Sequence, residues 1–446
     1  MPYTAPSLGQ AATALASRLN DQGNVRWVQA ELFVYIREAI RTWNAWTSHF
    51  RDQASFNTVV GQAFYDLPTE LSTLRPQTVT NWELVTDLQY ALMEPPAAGG
   101  TWTGTDQFTL EQLSNAIWRR RDQFLRETGA VLTRSETVYV APAASGRIAL
   151  DEAILQVRRA AWQPTLTTFR VPLLRADEWG ANHYTPAWPS SSEPPSAYSV
   201  SVTPPLTLQL IPPGSSLDGT LDLVSVNKGA TVNELVSASL EIPDDWAWVV
   251  KYGALADLLG GDGLAIDPQR AAYCESRWAN GVEMASAASV VLAARINGSP
   301  CTVGSLNEAD TYSPTWQLVS GTPRQVLIAG QTLLASWPPP GAAGGPWSIT
   351  LDVVRNAPVP SVANDILQIG ADIYDSILDL SQHLALFKEG PGQLQVATGL
   401  LERATKAAGV TLALQQASQP ARFPMLEQTQ QDEHAVARGL APLEVT

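Results

Sequence analysis

Leu206-Thr207-Leu208-Gln209-Leu210, closed by Pro212-Pro213-Gly214 and followed by Leu221-Asp222-Leu223, is the stretch on which the fold reading turns. Leucines alternating with polar residues mark a strand with one wet face, and Pro-Pro-Gly forces a turn. Residues 221–226 then read as the returning partner strand. The same punctuation recurs further on. Trp188, Pro195, Pro212, Leu221 and Leu223 are answered by Trp316, Pro323, Pro340, Ile349 and Leu351, each 128 residues later. Leu333 and Leu334 precede Pro338 to Pro340 and Gly341 in the second passage. A β-unit repeated in this way is the mark of a building block rather than of a catalyst.

Each β-unit leads into helices. Pro243-Asp244-Asp245 predicts a helix start with an acidic cap at the positive end of the dipole. That helix carries Trp246, Val249, Val250 and Gly253 on one face and Trp248, Tyr252, Leu255 and Leu259 on another, so it packs on both sides. Gly260-Gly261-Asp262-Gly263 ends it, and Asp267-Pro268 opens an antiparallel partner reaching about residue 288. The second passage gives strands near 326–336 and 347–354 and a helix near 363–387 with a stripe of Ile366, Gly370, Ile373, Ile377 and Leu380. After the break at Gly390-Pro391-Gly392 a helix runs from about 394 to 408. Ile369-Gly370-Ala371 takes the place of Tyr252-Gly253-Ala254.

The N-terminal part reads as helical. A short helix rich in Ala and Leu covers residues 7–20. Leu32, Tyr35, Ile36, Ala39, Ile40 and Trp43 recur at three and four, which predicts an amphipathic helix over 28–47. Residues 56–68 read as a hairpin, and Val79, Trp82, Leu84 and Val85 as a further strand. Leu113, Ile117, Phe124 and Thr128 then stand 81 residues after Leu32, Ile36, Trp43 and Thr47. Val138-Tyr139-Val140-Ala141-Pro142 answers Tyr65-Asp66-Leu67-Pro68. The expectation is an α+β chain: a helical N-terminal region with hairpins (1–165), two repeated β-sheet plus helix-pair units (166–295 and 296–415) and an extended polar tail (416–446).

At 446 residues the chain is long enough for roughly two to four domains. Its net charge of −15 disfavours nucleic-acid binding through a basic patch. Charged residues make up only 16% while fifteen tryptophans are present, a balance that fits burial against neighbours. No run of about 20 apolar residues predicts a membrane span, and residues 1–30 lack the pattern of a secretory signal.

Few residues carry a catalytic or ligand-binding signature. Cys274 and Cys301 are too few for a disulfide framework or a zinc site. His49, His183, His383 and His434 share no metal-binding spacing, and no phosphate loop or nucleophile elbow is present. Asp262, Gly263 and Asp267 miss a calcium-loop spacing. Asp244-Asp245 reads as a cap rather than an acid–base pair, Asn297-Gly298-Ser299 as a turn, and Arg119-Arg120-Arg121 as a solvated or salt-bridged face rather than a phosphate site. No catalytic residue, cofactor or metal is expected. Trp43, Trp46, Trp118 and Trp248 are the candidate interface anchors.

The run Asp21, Val25-Arg26-Trp27, Glu31-Leu32, Tyr35-Ile36-Arg37-Glu38-Ala39-Ile40-Arg41-Thr42-Trp43-Asn44, followed by Tyr65-Asp66-Leu67-Pro68, resembles the opening helix of tailed-bacteriophage head–tail adaptor (neck, connector) proteins. The loop from Trp188 to Tyr198, the strand and turn from Leu206 to Gly214, Ile242-Pro243-Asp244-Asp245-Trp246 and Ala271-Ala272-Tyr273-Cys274 are similar to that group as well. The resemblance implies a virion structural protein, not an enzyme. It would form a homo-oligomeric ring of six or twelve subunits beneath the portal protein, join head to tail and neck proteins, and line the channel through which packaged double-stranded DNA passes without sequence-specific binding. Such adaptors are much shorter, and internal duplication would supply the extra length. Two other classes stay open: a different tail, baseplate or minor capsid protein, and a carbohydrate-binding or hydrolytic β-protein.

Overall fold

The computed structural model describes residues 4–418 apart from 95–106, 140–145, 165–169, 185–186, 202–205, 214–218, 230–237, 262–265, 314–315, 318–319 and 344. The fold is α+β, with eleven α-helices and three sheets among the described residues. The expected tail lies almost wholly outside them.

α1 (Leu8–Arg18) opens with a capping box in which Ser7 and Gln10 satisfy each other's backbone N–H, worth about 1 kcal/mol. α2 (Gln29–Thr47) occupies the span that the periodicity predicts and stops at left-handed Ser48. α3 (Leu67–Glu70) is a single turn. α4 (Asn81–Ala91) corrects the strand expected around Val79 to Val85: Thr80 accepts the Glu83 N–H, and Leu84, Val85 and Leu88 share one buried face at helical spacing. α5 (Leu110–Thr128) has a Thr109–Gln112 capping box and ends at Gly129, whose φ of 59° suits glycine. α6 (Glu178–Tyr184), α7 (Ala247–Gly260), α8 (Pro268–Ala287) and α9 (Leu306–Tyr312) follow.

α10 (Ala371–Phe387) starts eight residues later than expected, because residues just before it are tied to the chain's start through a Ser7–Ile366 bridge. α11 (Pro391–Ser418) runs beyond the expected end near 408. Asp244 and Asp245 do not cap α7. They sit in the 3₁₀ turn Asp244–Trp246 ahead of it, both buried: Asp244 accepts from Thr78 and Val79, Asp245 from Asn44 and Ala357. Their oxygens hold other loops in place of the helix's own N–H groups.

The largest sheet runs β1 (Arg51–Asn57), β15 (Ser348–Val354), β11 (Val291–Ile296), β12 (Ser299–Ser305), β13 (Gln325–Ala329), β14 (Leu333–Trp337), β2 (Phe64–Asp66). β1 and β2 are therefore its two edges, which corrects the hairpin expected over 56–68. Phe56 and Tyr65 nonetheless stack at 5.2 Å, so the sheet curls until its edges face each other. Asn297 and Gly298, with φ of 49° and 80°, make the tight turn between β11 and β12. This sheet joins strands of the expected 1–165 region to strands of the expected 296–415 region.

The second β-body has two four-stranded sheets. One is β3 (Thr133–Tyr139), β10 (Gly219–Asn227), β5 (Ile154–Pro164), β6 (Val171–Pro172); the other is β4 (Arg147–Ala149), β9 (Thr207–Ile211), β8 (Ala197–Val200), β7 (Leu174–Arg175). The pairing expected between residues 206–210 and 221–226 is thus corrected. β10 is flanked on both sides by β3 and β5, which leaves no edge for β9.

The ladders of the two bodies follow the same strand order and the same pairing sense. Thr302 pairs in parallel with Gln325, which pairs antiparallel with Trp337; Leu174 pairs in parallel with Ala197, which pairs antiparallel with Ile211. Ile349 lies between Phe56 and Ile296; Leu221 lies between Thr137 and Trp162. Leu8 N donates to Asp365 O and Leu367 N to Pro6 O; Asn81 N donates to Ala238 O and Leu240 N to Val79 O. These ties place Asp365 against Ala238 and residue 371 against 244, so Tyr252 corresponds to Asp379 and not, as expected, to Ile369.

Three apolar clusters organise the molecule. Residues such as Phe56, Tyr65, Val326, Ile349 and Leu351 fill the curled sheet, and Val157, Trp162, Leu208, Leu210 and Leu221 fill the second body. A single larger cluster runs through the helices of both, from Leu8 and Trp43 to Trp248 and Ala408.

Candidate functional site at the junction of two helix-and-sheet sets

The helices fall into two sets. α2 packs on α1, α10 and α11, and α5 packs on α4, α7 and α8. Along the chain the first set adjoins strands of the seven-stranded sheet, α2 leading into β1 and β15 preceding α10, while α5 of the second packs on β5 and β10. Several buried polar and charged side chains among the described residues gather where the two sets meet.

On the helical side, Lys251 of α7 makes an ion pair with Glu38 of α2, both side chains nearly inaccessible. Arg41 binds Glu83 at 2.8 Å, and Asn44 Nδ2 donates to Asp245 at 2.6 Å. Arg277 lies 5.5 Å from the Trp46 ring and 4.7 Å from that of Trp248. Arg270 lies 4.5 Å over Phe387. Burial pushes the Asp87 carboxyl up to about 8, with Glu38 and Glu83 adding to the rise and Lys251 and Arg41 opposing it. Burial also raises Asp245 to about 6.

On the β side, Arg159 of β5 meets Asp310 of α9 at 2.5 and 3.0 Å. Arg134 covers the Phe64 ring at 4.5 Å. Gln331 N donates to Ala130 O, Leu132 N to Thr332 Oγ1, and Thr332 Oγ1 to Leu132 O. Gly330 must be glycine here: its φ is 60° and a Cβ would lie 2.5 Å from Gly129 O. A groove of about 310 Å³ opens beside this seam, lined by Gln62, Phe64, Asp66, Leu132, Arg134 and Glu136 among others. Asp222 is fully buried and takes hydrogen bonds from Arg134 and Arg170.

The four anchor tryptophans separate into different roles. Trp43 is 1% exposed inside the helical core, and Trp248 is 3% exposed where α7 meets the first set. Arg277 brings Trp46 and Trp248 together. Trp118 of α5 keeps 37% of its surface. The arginine triplet makes internal contacts: Arg119 and Arg120 pair with Asp257, Arg120 also with Glu275, and Arg121 with Asp122. Both cysteines are free thiols, raised by burial to about 12 for Cys274 and about 11 for Cys301. Among the described residues, no three His, Cys, Asp or Glu side chains converge as metal ligands, and no helix is long and apolar enough to cross a membrane.

A pair of indole locks escapes the sequence reading. Trp188 Nε1 donates to Asn182 at 2.9 Å, and Trp316 Nε1 donates to Asp310 at 2.9 Å. The signal is present: Ala181-Asn182-His183-Tyr184-Thr185-Pro186-Ala187-Trp188 matches Ala309-Asp310-Thr311-Tyr312-Ser313-Pro314-Thr315-Trp316 in Ala, Asn/Asp, Tyr, Ser/Thr, Pro and Trp. No family model matches the chain, and no curated protein matches it either.

Proposed function

We propose that this chain is a structural subunit of a tailed-phage neck, forming a ring that joins portal to tail and surrounds the passing DNA. We further propose that it is built from two copies of one unit, the second inserted whole between the two halves of the first. The observation that carries this reading is the shared strand order and pairing sense of the two β-bodies together with the matched ties Leu8–Asp365 and Asn81–Ala238. The matches run outward from the centre of the chain: α5 and β3 answer α2 and β1, while α7 and β10 answer α10 and β15. A nested order of this kind accounts for two N-terminal passages followed by two β-plus-helix passages.

Repetition supports a building block, because a unit that packs against its like inside one chain already has the geometry of an assembly. The net charge of −15 supports a channel that DNA crosses without adhering. Trp27, Tyr35 and Trp43, which carry part of the adaptor resemblance, are buried in and just before α2, the helix at the centre of the junction. The reading is tested by imaging purified virions and isolated necks by cryo-EM. A ring of this chain at the portal, with six or twelve subunits, is the expected result. Its location elsewhere in the particle, or its absence from particles, overturns the neck assignment.

A further inference from the structure

We propose that the outer face of α5 docks on the α10–α11 face of a second copy of this chain, repeating between molecules the contact that joins the two helix sets within one. The inference rests on the subunit reading above and names the surface through which such subunits meet.

α2 and α5 have the same length and correspond at an offset of 81 residues. Their surroundings differ. Glu31 and Glu38 on α2 are buried, Glu31 against Lys388 and Tyr35 of its own set and Glu38 against Lys251 of α7, where α7 and α8 touch that helix. The corresponding α5 residues, Gln112 and Arg119, are exposed, and the Arg119 side chain is 67% accessible even while it pairs with Asp257. The surface covered on one helix is open on the other.

The covering element has a counterpart too. α8 and α11 both open with proline, Pro268 and Pro391, and at that offset Cys274 and Ala285 correspond to Ala397 and Ala408, all four buried. Tyr273, which reaches His383 of the first set, then corresponds to Val396. Val396 is 57% exposed. On the neighbouring helix, Trp248 and Tyr252 are buried at the junction, whereas their counterparts on α10 are Asp375, 81% accessible, and Asp379.

The internal repeat selects the occupant, since α10–α11 are the counterparts of the helices that meet α2 within the chain. The open α5 face presents Arg119 and Arg126; the α10 face presents Asp375, 81% accessible though paired with Arg18, whereas Asp379 is 15% accessible and held by Arg18 and Arg403. Within the chain the signs run the other way, with the acid Glu38 on α2 and the base Lys251 on α7. The internal and external joints are thereby kept distinct. A docked copy again leaves one α5 face and one α10–α11 face free, so association proceeds head to tail and ends only when the rotation closes a ring.

The test uses full-length protein and sedimentation velocity at micromolar concentration and low salt. Wild type is expected to form a closed species that dissociates as salt is raised. Val396→Glu, at an exposed position, and Arg119→Glu/Arg126→Glu are each expected to be monomeric, with association weakened at least about thirtyfold, as for an interface hot spot. Mixed one to one, they are expected to give a heterodimer and nothing larger, since each supplies the face that the other lacks. Wild-type assembly that survives Val396→Glu, a mixture that stays monomeric, or a wild type that is monomeric at micromolar concentration overturns the proposal. The neck assignment is decided separately, by where the chain lies in particle images.

Discussion

The hydroxyl of Tyr273 lies 2.5 Å from Nε2 of His383, joining α8 of one helix set to α10 of the other. The opposite ring nitrogen, Nδ1, is 2.6 Å from the Ala397 carbonyl, which can only accept, so Nδ1 carries the proton and Nε2 accepts from the tyrosine. Burial, with the nearby charges of Arg277 and Lys251, holds His383 down at about 3. Tyr273→Phe leaves a buried acceptor unmade and is expected to cost about 1–3 kcal/mol, read as a lower urea midpoint at unchanged slope. Because the ring stays neutral in the fold while an unfolded histidine protonates near 6.5, its contribution is intact above that pH and is lost progressively as pH falls towards 3. A His383 imidazole resonance that titrates near 6.5 in the folded protein would contradict the assigned hydrogen bonds.

Asp87 acts in the opposite direction. The fold holds its proton up to about 8, whereas the unfolded chain releases it near 3.8. Its effect is therefore to lower stability as pH rises from about 4 to about 8, and to level off beyond. Asp87→Asn removes that penalty. The variant is expected to melt higher than wild type at pH 8, by on the order of 1 kcal/mol or more, with the gain vanishing near pH 4. A variant that is less stable than wild type at pH 8 would mean that the carboxylate is ionised and paired in the fold.

Arg159 and Asp310 tie the second β-body to α9 through two hydrogen bonds, with the arginine side chain 5% accessible. Asp310 also accepts the Trp316 indole. Removing either partner leaves a largely buried charge, so Arg159→Ala and Asp310→Ala are each expected to cost about 3–5 kcal/mol. The double variant should cost clearly less than the sum, because the second removal relieves the charge left by the first. Strict additivity in chemical denaturation would place the two residues in independent environments.

Much of this architecture is legible in the residue pattern, and the failures have physical causes. α2 and α5 are readable because Leu32, Ile36 and Trp43, like Leu113, Ile117 and Phe124, repeat at a period that one buried face imposes. The 128-residue echo is readable because strand turns demand Pro and Gly. Strand partners are not readable: β9 and β10 flank Pro212-Pro213-Gly214 in sequence yet enter different sheets, and β1 finds β15 from the far end of the chain. Alternation reports which face is buried and carries no information about the neighbour. α4 is misread because Val79, Leu84 and Val85 form too short an apolar run for period to decide. The junction is the least legible part, since Glu38, Lys251, Asp87 and Asp245 look like surface charges until the fold encloses them.

Gly253 of α7 marks a close helix approach in the second set. A Cβ there would stand 2.5 Å from Trp278 Cε3 and 2.9 Å from Arg120 Cδ. Trp278 has little room to yield: it is 3% exposed, edge-on to Phe124 at 6.4 Å, and lies beneath the Arg120 guanidinium at 5.1 Å. Arg120 is itself held by Asp257 and Glu275. Alanine is normally favoured over glycine in a helix interior by up to about 1 kcal/mol. At Gly253 that gain is opposed by overpacking of about 1–3 kcal/mol, so Gly253→Ala is expected to destabilise. Gly409 of α11 has nothing within 4 Å of its Cβ position, and Gly409→Ala is expected to stabilise by about the propensity term alone. Thermal melts of the two variants should therefore move in opposite directions from wild type; a shift of the same sign in both would refute the tight packing of α7 against α5 and α8.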